Sequence, residues 1–330
     1  MSRRSLLLFL VVLCIGVAVF SLVWGAPISP LDLNSASPEK REVARAIFLS
    51  LRPTRVVAAL LVGASLSVAG AGLQTLFRNP LAEPYLLGIS AGGALGATVA
   101  SAFKLPVFLG LDAAVPLAWL GAIASGFLVF ALGRSDESSF DSSSRRARLL
   151  LVGVALSAFL SALLALIVAL AGSADLAQET SFWLLGGLSR AGATQNVVLA
   201  ISLAFGFLLL RFNARDLDAL AAGDEDAMAL GVDYTTLQKR VLIAAGILAA
   251  SSVAVAGLIG FVGLLAPHLV RLAGGRDAKI LLPGAALGGA ALLCGCDTLA
   301  HSAFAPIEVP VGIFTALLGV PLFLTLARKM

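Results

Sequence analysis

The sequence predicts an all-α polytopic membrane protein, and three observations carry that reading. Hydrophobic residues make up 59% of the 330 and charged ones 13%, against about 25% charged in a soluble domain. Mean hydropathy is +0.99. Charge-free apolar runs recur along nearly the whole chain, separated by loops that hold most of its charge and proline. No soluble fold hides that much apolar surface.

A hydrocarbon core about 30 Å thick needs about 20 apolar residues per helix, and about ten runs approach that length. They lie near Ser5–Trp24, Val56–Phe77, Leu86–Phe103, Val107–Gly133, Leu149–Ala171, Val197–Leu210, Val241–Gly257, Leu258–Val270, Ile280–Leu299 and Val311–Leu326. Gly257, Gly260 and Gly263 divide the seventh run from the eighth. The first run could be taken for a secretory signal, since Arg3 and Arg4 precede it and small residues follow. It is longer than a signal's apolar core of about 7–15 residues, and Trp24 stands where a small side chain is wanted, so it reads as a retained span.

With the amino terminus inside, ten crossings return the carboxyl terminus to the same side. All 23 Lys and Arg residues then fall inside except Lys40, Arg41, Arg45, Arg52, Arg55, Lys104 and Arg190. This asymmetry is the one that membrane insertion imposes. It accounts for the net charge of +4 without nucleic acid. The expected location is the cell (inner) membrane, with both termini cytoplasmic and lipid as the surrounding partner.

The loops are of several kinds. On the outer side, Ser37-Pro38-Glu39 reads as a helix start, opening an interfacial helix to about Leu49. Residues 134–147 are serine-rich and charged, a solvated linker. The segment 211–240 on the inner side carries most information. Gly223 and Asp224 begin a short helix with Glu225 and Asp226 in its first turn, and Gly231 suits the left-handed position past its end. A compact helix standing outside the bilayer between two spans is a handle for another protein. Within the spans, small residues four apart predict close packing: Gly63 with Ser67, Gly92 with Gly96, Gly153 with Ser157, and Gly284 with Gly288.

Sites for covalent chemistry are weak. Cys294 and Cys296 precede Asp297 but lack a second ligand pair, so no metal is expected, and Cys14 adds no disulfide framework. Gly88-Ile89-Ser90-Ala91-Gly92 fits the G-x-S-x-G pattern, yet Ser90 opens an apolar helix where a nucleophile elbow needs a preceding strand. The chain has two histidines, His268 and His301, on opposite sides, and lacks a phosphate-binding loop of the G-x-x-x-x-G-K-[ST] kind. The reading is a transport subunit without an enzymatic reaction or cofactor. An ion- or proton-coupled secondary transporter is the alternative, although ionisable groups are scarce at depth, Asp297 being the main one.

Several long motifs go further. The core QTLFRNPLAEPYLLGISAG within Gly70–Gly96, the run Phe182–Leu188, GDEDAMALGVD, the stretch Gly260–Arg271 and Glu308–Gly312 resemble, in order, the FecCD-type permeases of ABC importers for iron-siderophores, haem and cobalamin. The resemblance runs from about Arg52 to the carboxyl end. It implies a single permease domain over 1–330, a homodimer with a path on its axis, two copies of an ATPase subunit inside and a substrate-binding protein outside. ATP hydrolysis then belongs to the partner. It implies that the segment near 212–240 couples to the ATPase, through Gly223, Asp224, Glu225, Ala227, Leu230 and Gly231. Arg52 and Arg55 correspond to arginines that dock the binding protein, with His301 standing where some members have a third. Asn79 and Leu81 correspond to an inner gate, and Arg146 with Ala147 to a second constriction. Which metal chelate is carried is left open.

Overall fold

The computed structural model describes residues 3–24, 37–106, 112–133, 142–304 and 307–327. Among them the regular structure is entirely helical. Helix α1 spans Arg3–Val23, and α2 (Pro38–Ala46) passes through a π-helical turn, Ile47–Leu51, into α3 (Arg52–Leu76). A 3-10 turn at Pro84–Leu87 leads to α4 (Ile89–Ala102), and α5 follows at Ala114–Gly133. Helices α6 (Ser142–Ala171), α7 (Ala174–Leu185) and α8 (Ala193–Phe212) come next. Two short helices, α9 (Ala214–Ala222) and α10 (Asp224–Ala229), precede α11 (Tyr234–Ala256). The chain closes with α12 (Val262–Leu272), α13 (Ala278–Ser302) and α14 (Val311–Ala327).

Each of the ten predicted spans coincides with one of these helices, and seven of them are long and apolar enough to cross a membrane. The three shorter ones are α4, α12 and α14. The start of the fourth predicted span, from Val107, lies partly outside the described residues. So does the first part of the serine-rich linker, but its second part is corrected: residues 142–147 form the opening of α6. The alanine and leucine that follow extend a helix backward readily, and Arg146 finds a partner in Asp224. The predicted outer helix leads into the second span through the π-helical turn, α2 running on into α3.

Helix α3 is the central post. Its face is cut to glycine and serine so that other backbones come close: a Cβ on Gly63 would stand 2.2 Å from the Gly289 carbonyl oxygen, and one on Gly70 1.9 Å from that of Gly263. Ser67 donates to the Val262 carbonyl at 3.1 Å. Gly92 and Gly96 on α4 meet α5 at Gly121 and Leu117 in the same manner. The predicted small-residue spacings therefore mark true contacts, the last pair included: Gly284 lies close to Val270 of α12, and a Cβ on Gly288 would meet Ala266 of the same helix at 3.7 Å. Contact dominated by small residues is how helices associate where lipid removes the hydrophobic drive.

Helix α12 is the main departure. The eighth span was expected over Leu258–Val270, but its helix has 11 residues and begins where Gly263 meets Leu66 and Gly70, halfway along α3. At about 1.5 Å per residue it covers about half a bilayer. The preceding segment breaks because Gly257 has φ 66° and Phe261 has φ 68°, left-handed backbone that a helix does not accept. Backbone freed at depth is tolerated where protein covers it. Here Leu258 N–H donates to Trp183, Gly187 N–H to Ala256, and Ile259 N–H to the Tyr85 hydroxyl.

Candidate functional site

Functional groups gather at the two ends of the bundle and at the break between them. One end carries Arg3, Arg78, Arg146, Asp224, Arg271 and Asp277; the other carries Arg52, Arg55, Asp297, His301 and Glu308. This partition matches the sides to which charge alone assigned Arg3, Arg78, Arg146, Arg271, Arg52 and Arg55.

At the first end, α9 and α10 form the projecting elbow. Helix α10 stops at Ala229 rather than Leu230, and Gly231 takes the left-handed turn at φ 77° with open space around it. Gly223, at φ 168°, is extended backbone open to any residue. Ala227 is buried against α9, so it shapes the elbow from within. Glu225, Met228 and Leu230 point outward, the last two 69% and 73% exposed. Met228 was missed in the sequence because a lone methionine in an acidic helix carries no positional signal.

Asp224 is the hub of this end. Its carboxylate accepts two 2.9 Å bonds from the Arg146 guanidinium, and Arg78 approaches it at 3.5 Å. The elbow is thereby tied to the start of α6 and to the loop that follows α3. Arg146 is 9% exposed while its neighbour Ala147 is exposed. Arg146, read from the sequence as part of a constriction of the path, is paired with Asp224, because a guanidinium buried at a helix start needs a carboxylate.

The loop after α3 is shaped by its own residues. Arg78 closes the helix in left-handed backbone at φ 47°, where glycine is usual, with Arg78 N–H bonded to Thr75 and Asn79 N–H to Gln74. The Asn79 carboxamide oxygen accepts the Leu81 N–H at 2.9 Å, a turn that sets Leu81 outward, 37% exposed. The loop then dips to the break, where the Glu83 carboxylate faces the first N–H groups of α12 and Tyr85 bonds the Ile259 backbone on both sides. An acid at a helix N-terminus is favourably placed against its dipole. Beside this junction opens a cavity of about 420 Å³ walled by Tyr85, Leu185, Phe261, Gly312, Ala316 and Leu317.

At the far end, the two arginines read as docking residues have partners within the chain. Arg52 is 8% exposed, donates toward the Leu22 and Val23 carbonyls that end α1, and lies 4.2 Å over the Phe48 ring. Arg55 grips both Asp297 oxygens at 2.8 Å and reaches Glu308 at 2.6 Å. His301 tucks below, its Nδ1 2.6 Å from the Asp297 carbonyl. The sequence holds no acid near Arg52 or Arg55; Asp297 comes from 242 positions away because α13 runs antiparallel to α3. Arg55 therefore sits in a cluster with Glu308, 46% exposed, on its rim.

Ser90 sits in the first turn of α4, after a 3-10 turn and left-handed Gly88, so the nucleophile-elbow setting of strand before serine is lacking. Its hydroxyl is buried without a partner, as is His268 Nε2. No group of three or more His, Cys, Asp or Glu that could hold a metal occurs among the described residues.

The sequence pattern of the FecCD transport family matches residues 6–329. The chain belongs to that family. Among its relatives, the haemin transport system permease protein HmuU of Yersinia pestis is 41% identical over 86% of this chain and 83% of its own. The vitamin B12 import system permease protein BtuC of Serratia proteamaculans is 38% identical, covering 100% of this chain and 94% of its own. A solved inward-facing ABC transporter, assigned to the metal-chelate type, covers 100% of both chains at 30% identity with a TM-score of 0.84. PsaBC from Streptococcus pneumoniae, 17% identical with a TM-score of 0.57, shares the fold. Family membership makes this FecCD chain a membrane-spanning transport protein.

Proposed function

We propose that this chain is the permease of an ATP-driven importer that carries a bulky metal chelate, such as a ferric siderophore, haem or cobalamin, into the cytoplasm. It works as a homodimer. Two ATPase subunits grip the α9–α10 elbow, and a substrate-binding protein delivers cargo at the Arg55–Glu308 end. The observation that carries this reading is the Asp224 hub, which ties the elbow to Arg146 on α6 and to Arg78 beside the Asn79–Leu81 turn. A movement of the elbow is transmitted by that carboxylate to the candidate gate. Exposed Met228 and Leu230 support the grip, since apolar side chains on an acidic helix outside the bilayer suit a partner's groove. The relatives named for haemin and vitamin B12 support the cargo class.

An ion-coupled secondary transporter fits less well. The carboxylate at membrane level, Asp297, is held at both oxygens by Arg55, the arrangement of a strut rather than of a proton carrier. The test is uptake of the candidate chelates alongside co-purification of the ATPase. Leu230→Asp and Gly231→Pro should leave the chain inserted while removing both; normal uptake in the two variants overturns the assignment.

A further inference from the structure

A groove about 410 Å³ in volume runs between α5 and α11, in the half of the bundle that carries the elbow. Its wall includes Ile123, Phe127, Phe130, Ile243 and Gly246, and its one charged group is Lys239, in the second turn of α11. Lys239 and Gly246 are seven residues apart, about 10 Å along the axis, so the cation stands at the mouth and the apolar trough extends toward mid-bilayer. Phe127 and Ile243 are 67% and 52% exposed. A Cβ built on Gly246 meets nothing within 4 Å, so the trough is open where a side chain would fill it.

We infer that this groove holds one anionic phospholipid, an acyl chain lying in the trough and the headgroup phosphate on Lys239. Charge decides the class. The wall contains no Asp or Glu, and no carboxylate lies within 4.0 Å of Lys239 among the described residues. The neighbouring cations are taken, Arg240 by Asn213 and Arg146 by Asp224. The nearby acid, Asp233, attracts Lys239 only at longer range and gives its hydrogen bonds to the Thr236 N–H and hydroxyl. Exposed Arg148, next to the wall residue Leu149, adds a second cation on the same side. Basic pockets between membrane helices select anionic headgroups, and the volume falls within the range of ligand sites, about 300–1,000 Å³. The inference rests on membrane insertion alone and is independent of cargo or ATPase.

The test uses the detergent-purified full chain with dioleoyl phosphatidylglycerol or dioleoyl phosphatidylcholine, read by native mass spectrometry. Wild type should retain phosphatidylglycerol in preference to phosphatidylcholine. Lys239→Glu should reduce that preference by about fivefold or more, the factor one basic residue supplies at an anionic surface, and leave phosphatidylcholine unchanged. Gly246→Leu should reduce retention of both lipids. Excess glycerol 3-phosphate should not displace the lipid; displacement would make the site one for a free phosphate and overturn the proposal. Equal phosphatidylglycerol retention in wild type and Lys239→Glu overturns it too. So does a disulfide between two copies of Gly246→Cys, which would make the groove a protein interface.

Discussion

The two ends of the bundle use the same chemistry, arginine on aspartate, in opposite ways. At the Arg55 end, Asp297 is 2% exposed, held at both oxygens, and joins α3 to α13 within the spans. At the elbow, Asp224 is 25% exposed and shared between Arg146 at 2.9 Å and Arg78 at 3.5 Å, the latter 41% exposed on a loop. The first is closed and solvent-poor, the second open and divided. A buried pair resists change because either partner alone is stranded, whereas a half-solvated one exchanges partners at small cost. The difference assigns rigidity to the far end and motion to the elbow.

The strongest way to break that comparison is to remove one partner of the buried pair. Asp297→Asn leaves the Arg55 guanidinium with only the half-exposed Glu308 carboxylate, and the loss of stability should be about 3 kcal/mol, the low end for a broken buried pair. Thermal unfolding of the purified chain measures it. Replacing both groups, with Arg55→Leu and Asp297→Leu together, should recover most of the loss, since the uncompensated charge is then gone. If the double variant is no more stable than the single, the pair is not the strut described.

This pair also marks the limit of what the sequence discloses. The ten helices were legible because each burial demand is local: a charge-free run of sufficient length, ended by glycine, proline or charge. The close contacts of Gly63, Ser67, Gly92 and Gly96 were legible for the same reason, as was left-handed Gly231. Glycines at 257, 260 and 263 even marked where the chain breaks, though not that α12 begins at half depth, which depends on the closeness of Gly70 to Gly263. Partners such as Arg55 with Asp297, or Arg146 with Asp224, need the helices assembled first. Helix α7 escaped because Ala174–Leu185 mixes Asp175, Gln178 and Glu179 with apolar residues and is too short to cross.

A middle-sized effect tests the elbow. Asp224→Asn keeps the size of the side chain but removes its charge. Because the Asp224 side chain is 25% exposed while that of its partner Arg146 is only 11% exposed, stability should fall by about 1–2 kcal/mol, between the values for exposed and buried pairs. Transport should suffer far more, with uptake per ATP hydrolysed reduced while the ATPase stays bound. Arg78→Gly separates the contributions, since it relieves the left-handed backbone, worth about 1–2 kcal/mol, and cuts one of the two links. It should stabilise the chain and still weaken coupling. An Asp224→Asn chain as damaged in stability as Asp297→Asn would erase the contrast between the ends.

The smallest expected effect lies at the start of α11, where Asp233 caps the helix that leads away from the elbow. Its carboxylate takes the Thr236 hydroxyl and N–H, which hold its pKa below the ordinary aspartate value. A carboxyl depressed on folding contributes stability above its unfolded pKa, about 3.9, and loses it as pH falls through the folded value. At neutral pH, Asp233→Ala should therefore destabilise the first turn of α11 by about 1 kcal/mol, and amide exchange at Thr235, Thr236 and Leu237 should quicken. Once the pH falls below the folded value the native cap is itself protonated, so the difference between wild type and variant should shrink. A difference that persists undiminished at low pH would mean that the cap acts through the shape of the turn rather than through its charge.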